Sequence, residues 1–255
     1  MKVFLLALLT VMMAASYSFK ATAQQSEPLN ILAFSKTEGF RHGVIPQSLV
    51  TLGKMAEQNQ WHVRATEDSV MISDEVLDNI DVVIFVHTTG NVLGKKQQKA
   101  LKEFVMEGGG LITLHSGTIT ENDWPWFVDA VGGIFVGHPP SQEGKLSIED
   151  RDHPATEHFP DSIWTTTDEW YSFDRNPRED VRVLISIDEN SYDVTDDRWF
   201  EGADQRMGDH PLVWCQTEGK GRIFQTALGH EPELYEDPLF LKHLKGGILW
   251  SSGLD

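Results

Sequence analysis

Three histidines follow segments that have the apolar pattern of buried β-strands. His42 comes shortly after the segment 29–35, His115 ends an apolar run that starts after three glycines, and His230 follows the segment 222–228. In an open α/β sheet, ligands bind outside the carboxyl ends of the strands, so we expect these imidazoles to face one site. An imidazole titrates near neutral pH and can act as a general acid, a general base or a metal ligand.

His115 is the strongest candidate for a catalytic residue, because it stands where a strand is predicted to turn sharply into a helix. The surrounding sequence Leu114-His115-Ser116-Gly117 is not a Gly-x-Ser-x-Gly motif and contains no cysteine. The pattern therefore gives no support to a serine or cysteine hydrolase. The alternative interpretation is that His115 only holds the turn through a hydrogen bond.

Two further segments carry candidate polar groups. Arg41 and His42 follow the first predicted strand, and we predict that His42 is catalytic and that Arg41 binds an anion or a sugar hydroxyl. The alternative is an exposed pair at the start of a helix. A glycine-rich segment brings His138 toward the same region, which predicts substrate binding, whereas for His153, in Asp152-His153-Pro154, a turn is the favoured interpretation.

The segment Asp168-Glu169-Trp170-Tyr171 places two carboxylates beside two aromatic residues in a predicted strand. Alternate strand residues share a face, so Glu169 and Tyr171 point one way and Asp168 and Trp170 the other. We predict that Glu169 is catalytic and that Tyr171, Trp170 and His230 bind substrate. The alternative for the aromatic residues is simple core packing.

A divalent metal is a candidate cofactor, with His115, His230 and Glu169 as its predicted ligands. The chain has no His-x-x-x-His, His-Glu-x-x-His or paired-cysteine spacing. A metal site would therefore have to be assembled from separate loops, and the sequence leaves the cofactor open.

Composition excludes some partners and some chemistry. The chain has 255 residues and a formal net charge of −18, a field that repels phosphate backbones, so we expect no nucleic-acid partner. Cys215 is the single cysteine, which rules out an internal disulfide. It lies in an apolar run, and this predicts a buried residue and a poor nucleophile.

The N-terminus has the pattern of an export signal. Lys2 precedes the apolar run 3–15, and Ala21-Thr22-Ala23 fits a signal-peptidase site. We predict a signal peptide over residues 1–23, cleavage near Ala23, and a periplasmic or secreted protein with one domain over 24–255. No later apolar stretch approaches the roughly 20 residues of a membrane span.

The order of predicted elements indicates the fold class. Strand and helix patterns alternate through the first half, with strands predicted at 29–34, 61–65, 81–86 and 111–114 and helices starting near 45, 73 and 95. This order favours a three-layer α/β fold, with a mostly parallel sheet and helices on both faces. The second half adds strands at 144–150, 164–173 and 181–187, a hairpin over 211–228, a helix at 238–250, and an acidic loop at 191–208. That loop either covers the site or is a surface excursion.

Taken together, the motifs resemble the ThuA-like (trehalose utilisation) family. The matching segments are Thr37 to His42, Gly108 to Gly117, Gly132-Gly133 through His138, His153-Pro154, Asp168 to Tyr171, Pro211 to Trp214, Gly219 to Arg222, and Gly229-His230. Their order spans nearly all of residues 29–251. The resemblance implies a class I glutamine amidotransferase-like, flavodoxin-related fold. It also implies that His115 stands where related amidotransferases keep a catalytic cysteine, so glutamine hydrolysis is not expected.

The resemblance further implies carbohydrate or 3-keto-glycoside substrates. A keto group acidifies the neighbouring C–H, so a histidine or carboxylate base with a cation that stabilises the enolate would suffice for elimination or isomerisation. We therefore predict an exported enzyme that processes glycosides or 3-keto-glycosides by elimination, hydrolysis or isomerisation. The alternatives are a sugar-binding module, suggested by Trp124, Trp126, Trp170 and Trp199, and a flavoprotein, disfavoured because the chain has no phosphate-binding loop. The sequence leaves the oligomeric state open.

Overall fold

The structure is a computed structural model that describes residues 28–202 and 205–254. The predicted signal peptide over residues 1–23 and its cleavage point lie outside the described residues. Within the described part of the chain, no helix is long and apolar enough to cross a membrane.

The described elements follow the predicted alternation of strands and helices. The strands are β1 (Asn30–Phe34), β2 (His62–Thr66), β3 (Val82–Val86), β4 (Thr89–Gly90), β5 (Gly110–Leu114), β6 (Ile119–Thr120), β7 (Phe135–Gly137), β8 (Gln142–Ile148), β9 (Ile163–Asp168), β10 (Ser172–Phe173), β11 (Arg182–Ile187), β12 (Pro211–Glu218) and β13 (Gly221–Thr226). The helices are α1 (Ile45–Asn59), α2 (Asp74–Leu77), α3 (Lys95–Glu107), α4 (Pro125–Val131) and α5 (Pro238–Ser252).

Nine of these strands form one mixed sheet in the order β2-β1-β3-β5-β13-β12-β11-β8-β9. The first five are parallel to one another, and the remaining four join by antiparallel pairing. Every residue of β3 and β5 is buried, as expected for parallel strands that are covered on both faces. The central strands therefore end at one edge of the sheet, where their last residues can share a site.

Helices cover both faces of the sheet, and each face has its own core. On one face α1 and α5 pack against side chains that include Ile84 and Ile112, and on the other α3 and α4 pack against Phe85 and Leu111. Neighbouring residues of β3 and β5 thus point into opposite cores, which is the strand alternation that the sequence carries. The predicted three-layer α/β fold is confirmed.

Two local predictions near the site were wrong. The predicted strand 164–173 is interrupted, because β9 ends at Asp168 and β10 contains only two residues that pair with β7. His115 enters a 3₁₀ turn of four residues instead of a helix, and the next α-helix begins at Pro125. Both irregular segments carry side chains of the candidate site.

Candidate active site at the carboxyl edge of the sheet

His115 lies directly after β5, which pairs with β3 and β13 in the parallel part of the sheet. Its φ is +52°, a left-handed backbone conformation that is uncommon for residues other than glycine, and its side chain is fully buried. The ring Nδ1 lies 2.7 Å from the carbonyl oxygen of Ala227, which can only accept a hydrogen bond. Nδ1 therefore carries the proton, and Nε2 presents a lone pair toward the other site residues.

His42 lies beside His115, with 4.9 Å between the two ring centroids. The Nδ1 of His42 lies 3.3 Å from the hydroxyl oxygen of Ser116, which comes directly after His115. Phe40 contacts the His42 ring edge-on at a centroid distance of 4.8 Å, and 70% of the Phe40 residue surface is exposed. An apolar ring thus stands at the solvent side of a buried imidazole.

His230 follows β13 and is placed through its backbone by Asp168. The buried Asp168 carboxylate accepts hydrogen bonds from the backbone N–H groups of Gly229, His230 and Glu231, at 2.7, 2.9 and 3.3 Å. The His230 side chain is 28% exposed, more than that of His42, His115 or Glu169. The site therefore opens to solvent at His230.

Glu169 faces the histidines, as the sequence pattern predicted for its side of the chain. Its Oε2 lies 2.9 Å from Nδ1 of His230 and 3.5 Å from Nε2 of both His115 and His138. His42, His115, Glu169 and His230 each offer one potential ligand atom, and these four atoms lie within 4.8 Å of one another. Residues from four distant segments thus converge on one point, although their catalytic and binding roles stay predictions.

Tyr171 lies against the buried side of this cluster. Its hydroxyl lies 2.7 Å from Nε2 of His115 and 3.5 Å from Nε2 of His42. Because Nε2 of His115 has no proton, the Tyr171 hydroxyl donates to it. The tyrosine ring also stacks on His138 at a centroid distance of 5.4 Å, so Tyr171 joins the two sides of the site.

Burial and mutual repulsion keep most of the imidazoles neutral. Burial, followed by the neighbouring His115 and His230, lowers the pKa of His42 to about 3. Burial also lowers the pKa of His115 and of His138, and the nearby Glu169 opposes this effect in both cases. At neutral pH these three rings therefore present lone pairs rather than positive charge.

His230 and Glu169 form the charged pair of the site. Burial alone would lower the pKa of His230, but the adjacent Glu169 carboxylate outweighs burial and raises it. Burial alone would raise the pKa of Glu169, but the neighbouring imidazoles, above all the proton-bearing His230, outweigh burial and hold it far below its usual range. Glu169 is therefore an anion, and His230 is the ring of the cluster that most readily accepts a proton.

Two predicted substrate-binding residues do not reach this cluster. Trp170 is fully buried in the hydrophobic core and has no surface that a substrate could contact, so its predicted binding role is corrected to core packing. The indole packs against Gly144 of β8 instead. The guanidinium of Arg41 forms an exposed ion pair with Glu67 at 2.6 Å instead of facing the histidines.

His87 belongs to the surroundings of the site and had no assigned role in the sequence prediction. It follows β3, has a φ of +51° and is fully buried, with its ring centroid 5.4 Å from that of His115. Its Nε2 contacts the hydroxyl groups of Ser48 and Tyr235 at 2.9 and 3.0 Å. The position at the end of a buried strand was the signal that could have identified it.

Other polar candidates have structural roles. Nδ1 of His153 accepts a hydrogen bond from the backbone N–H of Ala155, which agrees with the predicted turn. Cys215 is buried as predicted, and burial raises its pKa to about 12, which leaves no nucleophilic thiolate at neutral pH. In the 191–208 segment, Phe200 contacts the His138 ring at 5.1 Å, so this loop reaches the rim of the site.

The family assignment comes from comparison with known proteins. The sequence profile of the ThuA family, described as trehalose utilisation, matches residues 30–251. This chain belongs to the ThuA family. A comparison with curated proteins gave no match.

Solved structures of similar fold include two ThuA-like proteins. One, from Bacteroides uniformis, is 23% identical with a TM-score of 0.73, and the similarity covers 90% of this chain and 94% of that one. The other, from Parabacteroides merdae, is 21% identical with a TM-score of 0.68 and coverage of 89% and 90%. A β-galactosidase from Bacillus circulans is 13% identical with a TM-score of 0.54, and the match covers 88% of this chain but 31% of that one. The two ThuA-like structures show that this chain has their fold.

Proposed function

We propose that this ThuA family protein is a carbohydrate-processing enzyme that acts on glycosides or 3-keto-glycosides. The observation that carries the proposal is the convergence of His42, His115 and His230 on the Glu169 carboxylate at the carboxyl edge of the sheet. The family's association with trehalose utilisation supports a sugar substrate. Such a cluster of buried imidazoles around one anion serves acid–base chemistry better than it serves stability, because it buries charge in a crowded apolar setting.

A 3-keto-glycoside suits this constellation because its keto group acidifies the C–H at the neighbouring carbon 2. A base removes that proton, the electrons form a double bond between carbons 1 and 2, and the glycosidic C–O bond at carbon 1 breaks. The leaving oxygen takes a proton from an acid. Glu169 and the imidazoles of His115 and His42 form the reacting centre, and His230 exchanges its proton with solvent.

The rim of the site offers a surface for a sugar ring. Phe40 is exposed next to His42, and its loop is held by Thr89, whose hydroxyl accepts from the backbone N–H of Gly39 and donates to the carbonyl of Phe40. An aromatic face on a rigid loop matches the apolar C–H face of a sugar. On the other side of the cluster, the partly exposed His138 supplies a polar contact.

The experiment that tests the proposal compares turnover of glycosides and their 3-keto derivatives by purified wild type and by Glu169→Gln. We expect release of the aglycone or formation of a conjugated enone from the keto-glycoside, and a loss of about 100-fold or more in Glu169→Gln. Glu107→Gln, which changes an exposed carboxylate at the end of α3, away from the histidine cluster, is the matched control. Equal turnover by wild type and Glu169→Gln would remove Glu169 from the reaction.

A non-catalytic sugar-binding module is the second candidate. The exposed aromatic residues Phe40 and Trp199 favour it, since 70% and 63% of their surfaces are accessible. Calorimetry that shows tight binding of a glycoside or keto-glycoside, together with no product after prolonged incubation, would select this function over catalysis.

We also propose export, with cleavage near Ala23 and activity in the periplasm or the medium. Only the pattern of the first 23 residues supports this proposal. Mass spectrometry of the protein recovered from fractionated cells would detect a new N-terminus at Gln24. Recovery of the full-length chain in the cytosol would contradict export.

A further inference from the structure

We propose that His42, His115, His230 and Glu169 bind a single divalent transition-metal ion of the zinc class. The proposal deepens the function proposed above, because it concerns the same site, but metal binding is measured without any sugar. It also changes the roles given above to Glu169, His115 and His230, which would be ligands of the ion and not the acid and base themselves. His42, which the sequence predicted to be catalytic, would be the fourth ligand.

The spacing of the four side chains fits one ion. Ligands bound at 2.0–2.1 Å in a tetrahedral zinc site lie about 3.3 Å from each other. Oε2 of Glu169 lies 2.9 Å from His230 Nδ1 and 3.5 Å from His115 Nε2, and the four candidate ligand atoms lie within 4.8 Å of one another. A small contraction of the cluster would place one ion in contact with all four side chains.

Two buried atoms of the cluster support this interpretation. Oε2 of Glu169 and Nδ1 of His230 are shielded from solvent, and neither has a hydrogen-bond partner among the described residues. They face each other at 2.9 Å as the charged pair described above, but without the alignment of a hydrogen bond. Buried polar atoms are seldom left unsatisfied, so two of them aimed at one point indicate a shared partner. A cation would satisfy both.

The surroundings also resemble the outer shell of a metal site. A ligating histidine usually donates its second ring N–H to a carbonyl or carboxylate, and His115 donates to the carbonyl of Ala227 at 2.7 Å. Ser116 contacts Nδ1 of His42, while Asp168 fixes the backbone of His230. These contacts hold the rings in place and oppose rotation away from a common centre.

The donor set indicates which ions would bind. Three imidazoles and one carboxylate suit zinc and neighbouring transition metals, whereas magnesium and calcium prefer sites made of oxygen ligands. An ion on Nε2 of His115 would replace the hydrogen bond from Tyr171 and release the phenol hydroxyl as a donor. With His42, His115 and His230 occupied as ligands, Tyr171 and His138 are the groups left to move protons.

The test titrates metal-stripped full-length protein with Zn²⁺ by calorimetry and records the visible spectrum with Co²⁺. We expect one ion per chain, visible absorption bands of a low-symmetry Co²⁺ site, and no comparable binding of Mg²⁺. Loss of a residue that only supports a ligand typically lowers metal affinity 10- to 100-fold. Glu169→Gln and His230→Gln change the ligands themselves, so each should lower Zn²⁺ affinity by about 100-fold or more.

The control is His62→Ala, which removes an exposed histidine on β2 and should leave Zn²⁺ affinity and the Co²⁺ spectrum unchanged. Circular dichroism of each metal-stripped variant establishes that it is folded, and His230→Gln is preferred because its side chain is the most exposed of the four. Absence of a one-to-one site in wild type, or equal affinity in wild type and in both ligand variants, would overturn the proposal. Metal binding without sugar turnover would support the metal site and count against the proposed enzyme.

Discussion

The carboxylate of Asp168 accepts a hydrogen bond from the backbone N–H of His230 at 2.9 Å, although the two residues are 62 positions apart. The same carboxylate also accepts the N–H groups of Gly229 and Glu231. Asp168 thus clamps the loop after β13, while the next residue, Glu169, faces the His230 side chain. One dipeptide therefore provides both the support of the loop and the charge of the site.

Replacing Asp168 with Asn should misplace His230. The Asn side chain has only one acceptor oxygen in place of the two carboxylate oxygens. Its NH₂ group would face a backbone N–H, so two hydrogen-bond donors would meet and one N–H would lose its acceptor. We expect Zn²⁺ affinity and keto-glycoside turnover to fall about 10- to 100-fold, as for other outer-shell partners. Calorimetry and initial rates measure both effects.

Asp161→Asn serves as the control for Asp168→Asn, because Asp161 is an exposed acidic residue in the loop before β9. It should behave as wild type in both assays. Wild-type metal affinity and turnover in a folded Asp168→Asn protein would show that the loop holds its geometry without this carboxylate.

Tyr171→Phe should separate proton transfer from site assembly. The substitution keeps the ring, whose centroid lies 4.2 Å from that of His115, but removes the hydroxyl that donates to Nε2 of His115. We expect kcat to fall about 10²- to 10⁴-fold, the range for a lost acid or base, while Zn²⁺ still binds. Tyr192→Phe, which removes another hydroxyl beside a histidine, is the control. Unchanged kcat in Tyr171→Phe would exclude the phenol from proton transfer.

Phe40→Ala should weaken substrate binding and leave the chemical step intact. The ring is exposed and touches His42 only by its edge, so its loss removes a contact surface without opening the core. Loss of one aromatic contact worth about 0.5–1.5 kcal/mol should raise KM roughly two- to twelvefold at constant kcat. Ile163→Ala, at an exposed apolar residue on β9, is the control. If kcat fell by a factor as large as the predicted rise in KM, Phe40 would instead act by positioning His42.

The sequence predicted those parts of the fold that depend on regular periodicity. The apolar runs of β1, β3 and β5 and the glycines that end α3 imply a parallel sheet, and the placement of His115 and His230 at strand ends follows from it. The alternation of residues also assigned Glu169, rather than Asp168, to the site. These inferences hold because each depends on local pattern and on one rule of α/β topology.

Other features could not be read from local pattern. The order of β8, β9, β11 and β12 in the sheet depends on long-range pairing, and no sequence motif specifies it. Trp170 was predicted to bind substrate because it stands next to a carboxylate. The same local sequence occurs whether the aromatic side chain binds a ligand or packs in the core. The ion pair that holds Arg41 on the surface joins residues 26 positions apart, so the sequence near Arg41 could not indicate it.

The buried histidines should make the protein sensitive to acid. Burial lowers the pKa of His243 to about 3, from about 6.5 in an unfolded chain. Between these values the unfolded state binds a proton that the folded state does not, so the free energy of unfolding falls as pH falls through this window. Below about pH 6.5, His243 alone should lower the free energy of unfolding by about 1.4 kcal/mol for each pH unit. Above that pH, none of this stability is lost. Urea unfolding of the metal-stripped protein at pH 7, 6 and 5 measures the slope.

His243→Gln isolates this contribution, because His243 packs in the core against Phe224 and Phe240, away from the candidate site. The variant loses stability at every pH, but its free energy of unfolding should fall less steeply between pH 7 and pH 5 than that of wild type. The difference in slope is the informative quantity, since a packing defect alone shifts the whole curve without changing its dependence on pH. Parallel curves for the two proteins would mean that His243 takes up a proton in the folded state within this range.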